Sequence, residues 1–114
     1  MTHPLPAGAI ERAADAIDPD ALDALCARVA TYFAGKERAL RRRYETVVSA
    51  DDGDVLLADT DFWARTGDAL GYTEAETAAV RRAHESTLRL AGVETSRGAE
   101  FASALEIRTA VVLG

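Results

Sequence analysis

The chain has 114 residues, of which 48% are hydrophobic and 28% are charged, and its formal net charge is −6 at pH 7. This length suits one domain with its own core, and the composition is that of a folded protein, which excludes an intrinsically disordered chain. No apolar run is long enough to cross a bilayer, and the first residues lack the features of a signal peptide. We therefore expect a single helical domain over residues 1–114 that is cytoplasmic and not bound to a membrane.

The polar and charged residue types occur in unusual proportions. Lys36 is the only lysine beside twelve arginines, and the sequence contains neither Asn nor Gln. Adaptation to salt and GC-rich codon usage both explain this composition, and the sequence leaves the two explanations open. In either case the negative net charge helps to keep the protein in solution.

The first predicted helix covers about residues 7–17, where apolar residues recur at helical spacing. The Asp18-Pro19 pair then marks the start of a second helix. The Asp18 side chain can accept hydrogen bonds from the first free amides, and proline is favoured at the first helical position.

The second helix carries one long apolar stripe, which continues past Gly35 without losing its phase. The stripe consists of Leu22, Leu25, Cys26, Val29, Tyr32, Phe33, Leu40, Tyr44 and Val47. Because glycine costs only about 1 kcal/mol inside a helix, the maintained phase favours one continuous helix over residues 19–48. The alternative is a pair of helices separated at Gly35.

The acidic stretch of residues 49–59 interrupts the helical periodicity and favours a loop. The alternative is a small β-hairpin over residues 44–59 that turns at an Asp-Gly pair, although an isolated hairpin is marginally stable. The acids do not form a calcium-binding loop. Counting from Asp51, the sixth position is Leu56 rather than glycine and the twelfth is Phe62 rather than glutamate.

Two helices are predicted in the next segment. The first covers about residues 61–70 and ends at Gly71. Thr73 and Glu76 have the spacing of a capping box, in which each side chain binds the backbone amide of the other. The helix that they begin is expected to stop near Gly92.

The last segment predicts a further helix from Thr95 or Ser96 to about Ala110. Residues 106–113 also alternate as a strand would, so helix and strand stay open there. Taken together, these elements predict an all-α fold: a compact bundle of four to six helices with short connections.

The stretch LGYTEAE, residues 70–76, resembles the helix–turn–helix hairpin of ubiquitin-associated-type three-helix modules. The resemblance covers about residues 66–83, and it implies only that two helices pack against each other across a tight turn. It implies no ubiquitin or DNA chemistry.

Two residues with reactive side chains lie at buried helical positions. Cys26 is the only cysteine, which excludes an internal disulfide, and it has no neighbouring base that could activate a thiolate. His84 lies on the inner stripe of its helix, with no histidine or carboxylate three or four positions away, so we expect a hydrogen-bonded core residue. Since no catalytic or nucleotide-binding motif is present either, the sequence predicts no enzymatic activity, no cofactor and no metal.

The basic residues are concentrated in one part of the chain. Residues 28–43 carry six basic groups and one acidic group, whereas the remaining positions carry seven and eighteen. Such clustering predicts contact with an anionic partner. The candidate residues are Lys36, Arg38, Arg42, Arg43 and Arg108.

Helical spacing separates these candidates. At about 100° per residue, Arg38 and Arg42 point away from the apolar stripe, whereas Lys36 and Arg43 flank it. Arg41 has Glu37 and Glu45 four positions to either side, which should neutralise its charge. Arg108 lies on the apolar side of the last helix if that helix forms, and faces outward if the segment is a strand.

The function expected from the sequence is that of a small soluble helical protein–protein interaction or adaptor module without catalytic activity, acting on a protein partner or on a second copy of itself. The alternative is a nucleic-acid- or ribosome-associated factor that uses the arginine-rich helix 36–43. No aromatic side chains are interleaved with these arginines to stack on bases, which favours the first hypothesis. The aromatic residues are expected mainly in the core: Tyr32, Phe33, Tyr44, Phe62 and Trp63.

Overall fold

The computed structural model describes residues 3–15, 17–50 and 53–114. These residues form six helices and three strands, in the order α1 (Ala7–Ala13), α2 (Pro19–Phe33), α3 (Glu37–Arg43), β1 (Glu45–Ala50), β2 (Gly53–Ala58), α4 (Phe62–Leu70), α5 (Glu74–Thr95), α6 (Gly98–Ala104) and β3 (Thr109–Leu113). The predicted all-α bundle is therefore wrong, and the fold is mixed, with helices packed around a small sheet.

The sheet has three antiparallel strands in the order β1-β2-β3. Strands β1 and β2 form the hairpin that the sequence offered only as the alternative, and the acidic pair between them lies outside the described residues. A two-stranded hairpin gains stability when a further strand pairs with it. Here β3 supplies that strand from the far end of the chain, with Leu56 opposite Val111. The all-α prediction failed because it assessed the hairpin without this partner.

The long helix predicted over residues 19–48 is also wrong. Helix α2 ends at Phe33, and α3 begins at Glu37. Between them Gly35 has φ +85°, a left-handed conformation that glycine adopts without strain and that typically ends a helix. The apolar stripe keeps its phase because Phe33 and Leu40 pack against the same core from two separate helices.

The core lies between the sheet and the long helix α5, which contacts α1, α2, α4, α6 and β3. Residues 55–58 of β2 and all five residues of β3 are buried. Since successive side chains of a strand point to opposite faces of the sheet, both faces of these two strands are covered.

The predicted starts of α2 and α5 are confirmed. The Asp18 carboxylate accepts hydrogen bonds from the amides of Asp20 and Ala21 at the start of α2. Thr73 and Glu76 form the capping box of α5. Gly71, with φ +71°, ends α4 as predicted, so the α4–α5 hairpin is closed by local chemistry at both sides of its turn.

Several predicted helix ends are wrong. Helix α1 ends at Ala13 instead of Ile17, and residue 16 lies outside the described residues. Helix α5 continues through Gly92 to Thr95. A β-carbon at Gly92 would lie 3.0 Å from the Gly98 Cα and from the Phe101 ring, so this glycine allows α6 to pack closely and does not end the helix. The predicted last helix begins at Gly98 instead of Thr95 or Ser96 and stops at Ala104, and the chain continues into β3.

No helix in the described parts of the chain combines the length and the apolar character that crossing a membrane requires.

Candidate functional site

The predicted anion-binding residues lie on and beside α3, which is a surface helix with no buried residue. Lys36, Arg38, Arg42 and Arg43 are all exposed. None of them forms an ion pair with another residue that the structure describes. They line two separate depressions on opposite flanks of the helix.

The first depression is an open groove of about 570 Å³, which we call the basic groove. It is lined by Gly35, Glu37, Arg38, Arg41 and Arg42. The Arg41 guanidinium is paired with carboxylates of the same chain. Its Nε donates to the Asp54 carboxylate of β2 at 2.9 Å, and its Nη1 lies 3.9 Å from the Glu37 carboxylate. Asp54, and not the predicted Glu45, is thus its close partner, and Arg38 and Arg42 carry the available charge.

The second depression, the aromatic crevice, has a volume of about 220 Å³ and lies between the end of α2, helix α3 and the start of α4. It is lined by Tyr32, Phe33, Lys36, Leu40, Arg43, Tyr44, Phe62, Arg65 and Thr66. Phe33, Phe62 and Thr66 are buried and form its floor, whereas Leu40 is half-buried on its wall. The crevice thus joins an apolar floor to a rim of cations.

Two of these cations rest on tyrosine rings. The Lys36 Nζ lies 4.5 Å from the centre of the Tyr32 ring, and the Arg43 Cζ lies 5.6 Å from the centre of the Tyr44 ring. Such cation–π contacts contribute about 0.5–1 kcal/mol each at exposed sites. They hold the two charges beside the crevice and leave them accessible to solvent.

The third cation is neutralised. The Arg65 guanidinium donates to both oxygens of Asp59, at 2.8 and 2.9 Å, and the Tyr44 hydroxyl donates to the same carboxylate at 2.9 Å. The hydrogen bonds from Arg65 hold the pKa of Asp59 well below its usual range. Burial, followed by the hydrogen bond to Asp59, raises the pKa of Tyr44. Arg65 therefore fixes Tyr44 in place and adds little net charge to the rim.

The tyrosine rings of the crevice are engaged within the molecule. Tyr44 stacks on Phe62, with ring centres 5.8 Å apart and an angle of 17° between the planes, and it also carries Arg43. Tyr32 lies under Lys36. Tyr32 and Tyr44 are half-buried, whereas Phe33, Phe62 and Trp63 are buried as predicted. Each tyrosine ring therefore already carries a cation or an aromatic ring on one face, which makes it less available for stacking a base.

His84 is a hydrogen-bonded core residue, as predicted. Its Nδ1 accepts a hydrogen bond from the Val112 amide at 2.9 Å, so the imidazole proton resides on Nε2, which has no partner among the described residues. Burial lowers the pKa of His84 to about 3, with a smaller contribution from His3. The neutral imidazole therefore binds the backbone of strand β3 and does not lie at the crevice, where it could act as a base.

Trp63 also binds the backbone of β3. Its Nε1–H donates to the Ala110 carbonyl at 3.2 Å, and its ring lies 4.5 Å from that of His84. We call these two side chains the β3 edge cap, because residues 110 and 112 direct their backbone groups to the same side of β3.

Cys26 and Arg108, which the sequence analysis also considered, lie away from the two depressions. Cys26 is buried, as predicted, and burial raises the pKa of its thiol to about 12. Arg108 is exposed in the turn between α6 and β3 and lines neither depression. Within residues 3–15, 17–50 and 53–114, no three His, Cys, Asp or Glu side chains lie close enough together to hold a metal ion.

Sequence reasoning placed Lys36 and Arg43 beside the apolar stripe, where the structure has them, and it missed Arg65 and Asp59. These two residues approach Tyr44 only through the tertiary fold, since Arg65 lies 21 positions away along the chain. No local pattern in the sequence signals that contact.

Comparison with known proteins places the chain in one family. No curated protein matches it. No solved structure matches it either. One family model matches residues 3–114, nearly the whole chain, and the protein belongs to that family, which is described as Domain of unknown function (DUF8048).

Proposed function

We propose that this protein is a non-catalytic protein-interaction module that binds an acidic segment of a partner protein along α3. The observation that carries the proposal is the accessibility of Lys36, Arg38, Arg42 and Arg43, which are exposed and unpaired among the described residues. Arg38, Arg42 and Arg43 lie on a helix with no buried residue and Lys36 directly precedes it, so the core does not require their charges.

The charge pattern supports an acidic partner. The chain as a whole carries −6, so an acidic segment is repelled by most of the surface and attracted to α3, and this complementarity orients the encounter. Exposed ion pairs contribute only about 0.2–1 kcal/mol each. Four such contacts support weak binding that should decline as salt is added.

The same surface suits a nucleic acid less well. Single-stranded nucleic acids bind through bases that stack on open aromatic faces, and the tyrosines beside α3 are already covered by Phe62, Arg43 and Lys36. The acidic remainder of the chain also opposes a phosphate backbone. Nucleic-acid binding is therefore the competing outcome of the binding experiment.

That experiment is fluorescence anisotropy with a labelled polyglutamate peptide and a labelled single-stranded DNA of equal charge, at low and high salt. We expect the peptide to bind more tightly than the DNA. We also expect the combined variant Arg38→Ala, Arg42→Ala and Arg43→Ala to weaken peptide binding about tenfold or more.

The matched control replaces three exposed arginines from other helices, Arg12→Ala, Arg81→Ala and Arg89→Ala, and changes the net charge equally. An equal loss in this control would show that net charge alone governs binding and would contradict a site on α3. Tighter binding of DNA than of peptide would replace the proposed function with the nucleic-acid alternative.

A further inference from the structure

We propose that the aromatic crevice accepts one apolar side chain from the acidic partner segment, whose neighbouring carboxylates reach Lys36 and Arg43. This inference rests on the proposed function, since it specifies which acidic segments the surface around α3 prefers.

The size of the crevice indicates a single side chain. Its volume is about 220 Å³. An apolar cavity of about 150 Å³ accepts a benzene-sized group, whereas sites for larger ligands occupy about 300–1,000 Å³. The crevice is therefore too small for a nucleotide or an organic cofactor, and it matches the side chain of leucine or phenylalanine.

The lining of the crevice explains why that side chain should have acidic neighbours. The floor is apolar, with Phe33 and Phe62 buried beneath it. At the rim, Lys36 and Arg43 form no ion pair in the described part of the chain. No acidic side chain of the described residues lines the crevice, and Asp59, which lies nearby, is bound to Arg65 and Tyr44. The bound segment must thus supply both the apolar group and the negative charge.

The basic groove cannot provide the same selectivity. In the part of the chain that the structure describes, its lining consists of charged residues and one glycine, without an aromatic or branched aliphatic side chain. It can attract carboxylates, but it offers no floor on which an apolar group would be buried. The two flanks of α3 therefore have different roles. Arg38 and Arg42 attract the carboxylates of the bound segment, and the crevice binds the apolar side chain between those carboxylates.

The experiment uses two capped, fluorescein-labelled heptapeptides that differ at one position. One has leucine between two runs of three glutamates, and the other has serine in place of the leucine. Because partial burial of a leucine side chain recovers a good part of its transfer free energy, we expect the leucine peptide to bind about tenfold more tightly, as measured by anisotropy at constant salt.

A variant that fills the crevice tests where the leucine binds. Leu40→Phe adds bulk to the half-buried wall and leaves every charge in place, whereas Ala39→Phe adds an aromatic ring at the adjacent exposed position of the same helix. We expect Leu40→Phe to bind both peptides with similar affinity and Ala39→Phe to keep the tenfold preference. In the wild-type protein, the amide signals of Leu40, Phe62 and Thr66 should shift more in NMR spectra with the leucine peptide.

The outcomes separate the two proposals. If neither acidic peptide binds, the proposed function fails and this inference fails with it. If both bind equally well to the wild-type protein, acidic recognition stands and the apolar anchor is excluded. A preference for leucine that persists in Leu40→Phe, or NMR shifts that avoid the crevice residues, would place the anchor elsewhere and overturn the inference.

Discussion

The two edge strands of the sheet, β3 and β1, differ in their burial and in the hydrogen bonds of their backbone. Strand β3 is buried along its whole length, and the edge cap of Trp63 and His84 binds two of its outward backbone groups. Strand β1 exposes Glu45, Thr46 and Ser49, and its pairing with β2 is interrupted by an irregularity between Thr46 and Val48. A partly exposed arginine, Arg97, donates to the Val47 carbonyl of this strand at 2.9 Å.

The difference follows from access to water. A buried backbone group without a hydrogen-bond partner costs about 1–3 kcal/mol, so the donor of Trp63 and the acceptor of His84 reduce the cost of burying β3. An exposed edge is hydrated, and its hazard is pairing with another chain. Irregular pairing and charged residues reduce that hazard. We therefore expect changes at the β3 edge to affect global stability and changes at the β1 edge to affect local opening.

The largest effect is expected for Trp63→Ala. The ring is 2% exposed, and its loss leaves a cavity and an unpaired Ala110 carbonyl. The free energy of unfolding should fall by about 3–5 kcal/mol, as measured by urea denaturation followed by circular dichroism. Trp63→Phe, which loses the indole donor but retains a ring, should cost about 1–2 kcal/mol. Equal costs for the two variants would contradict a packing role for the ring.

The second prediction concerns pH and His84. The pKa of His84 falls from 6.5 to about 3 on folding, mainly because of burial, so between these values the unfolded chain binds a proton that the native protein does not. The free energy of unfolding should therefore decrease as the pH falls through this window, by up to about 1.4 kcal/mol per pH unit. Urea denaturation over a series of pH values measures the slope.

The control for this pH dependence is His84→Gln, which retains an acceptor for the Val112 amide but does not titrate. Asp59 and Glu100, whose pKa values are lowered by hydrogen bonds from Arg65 and Arg97, lose stabilising contacts on acidification in both proteins. Only the excess slope of the wild-type protein belongs to His84. Parallel pH profiles for the two proteins would show that the imidazole contributes nothing.

The smallest effect is expected for Arg97→Met on the open edge. Water can replace the lost donor at the Val47 carbonyl, and the pair of Arg97 with Glu100 is exposed, so global stability should change by less than about 1 kcal/mol. Hydrogen exchange of the β1 amides should accelerate, while that of the β3 amides stays unchanged. The control is Arg89→Met, at an exposed position of α5. If exchange of the β1 amides accelerates equally in this control, the loss of the bond from Arg97 to Val47 is not the cause.

The parts of the fold that local chemistry determines were predictable from the sequence. Asp18, Thr73 and Gly71 act within one turn of the helix ends that they define, and the burial of Cys26 and His84 follows from helical spacing. The sheet was not predictable in this way. Its central strand pairs with β3, which is far away in the sequence, and neither segment shows that pairing by itself.

The candidate site was predictable in part for the same reason. The angular separation of Lys36 and Arg43 from Arg38 and Arg42 depends only on helical geometry, and it survives although the long helix is broken at Gly35. The floor of the crevice is formed by residues of α2 and α4, and the Arg65–Asp59–Tyr44 contacts join three segments. Such contacts arise from tertiary packing, for which a single sequence has no local marker.

The ion pair between Arg41 and Asp54 has a consequence for how this family can diverge. Helix α3 has no buried residue, and the Arg41 guanidinium links it to Asp54 of β2 in addition to the packing of Leu40 against the core. A lysine would lose the directed geometry of arginine at that position. Among relatives, we expect Arg41 and Asp54 to be retained or lost together, whereas the exposed arginines beside them can vary without affecting this link to the sheet.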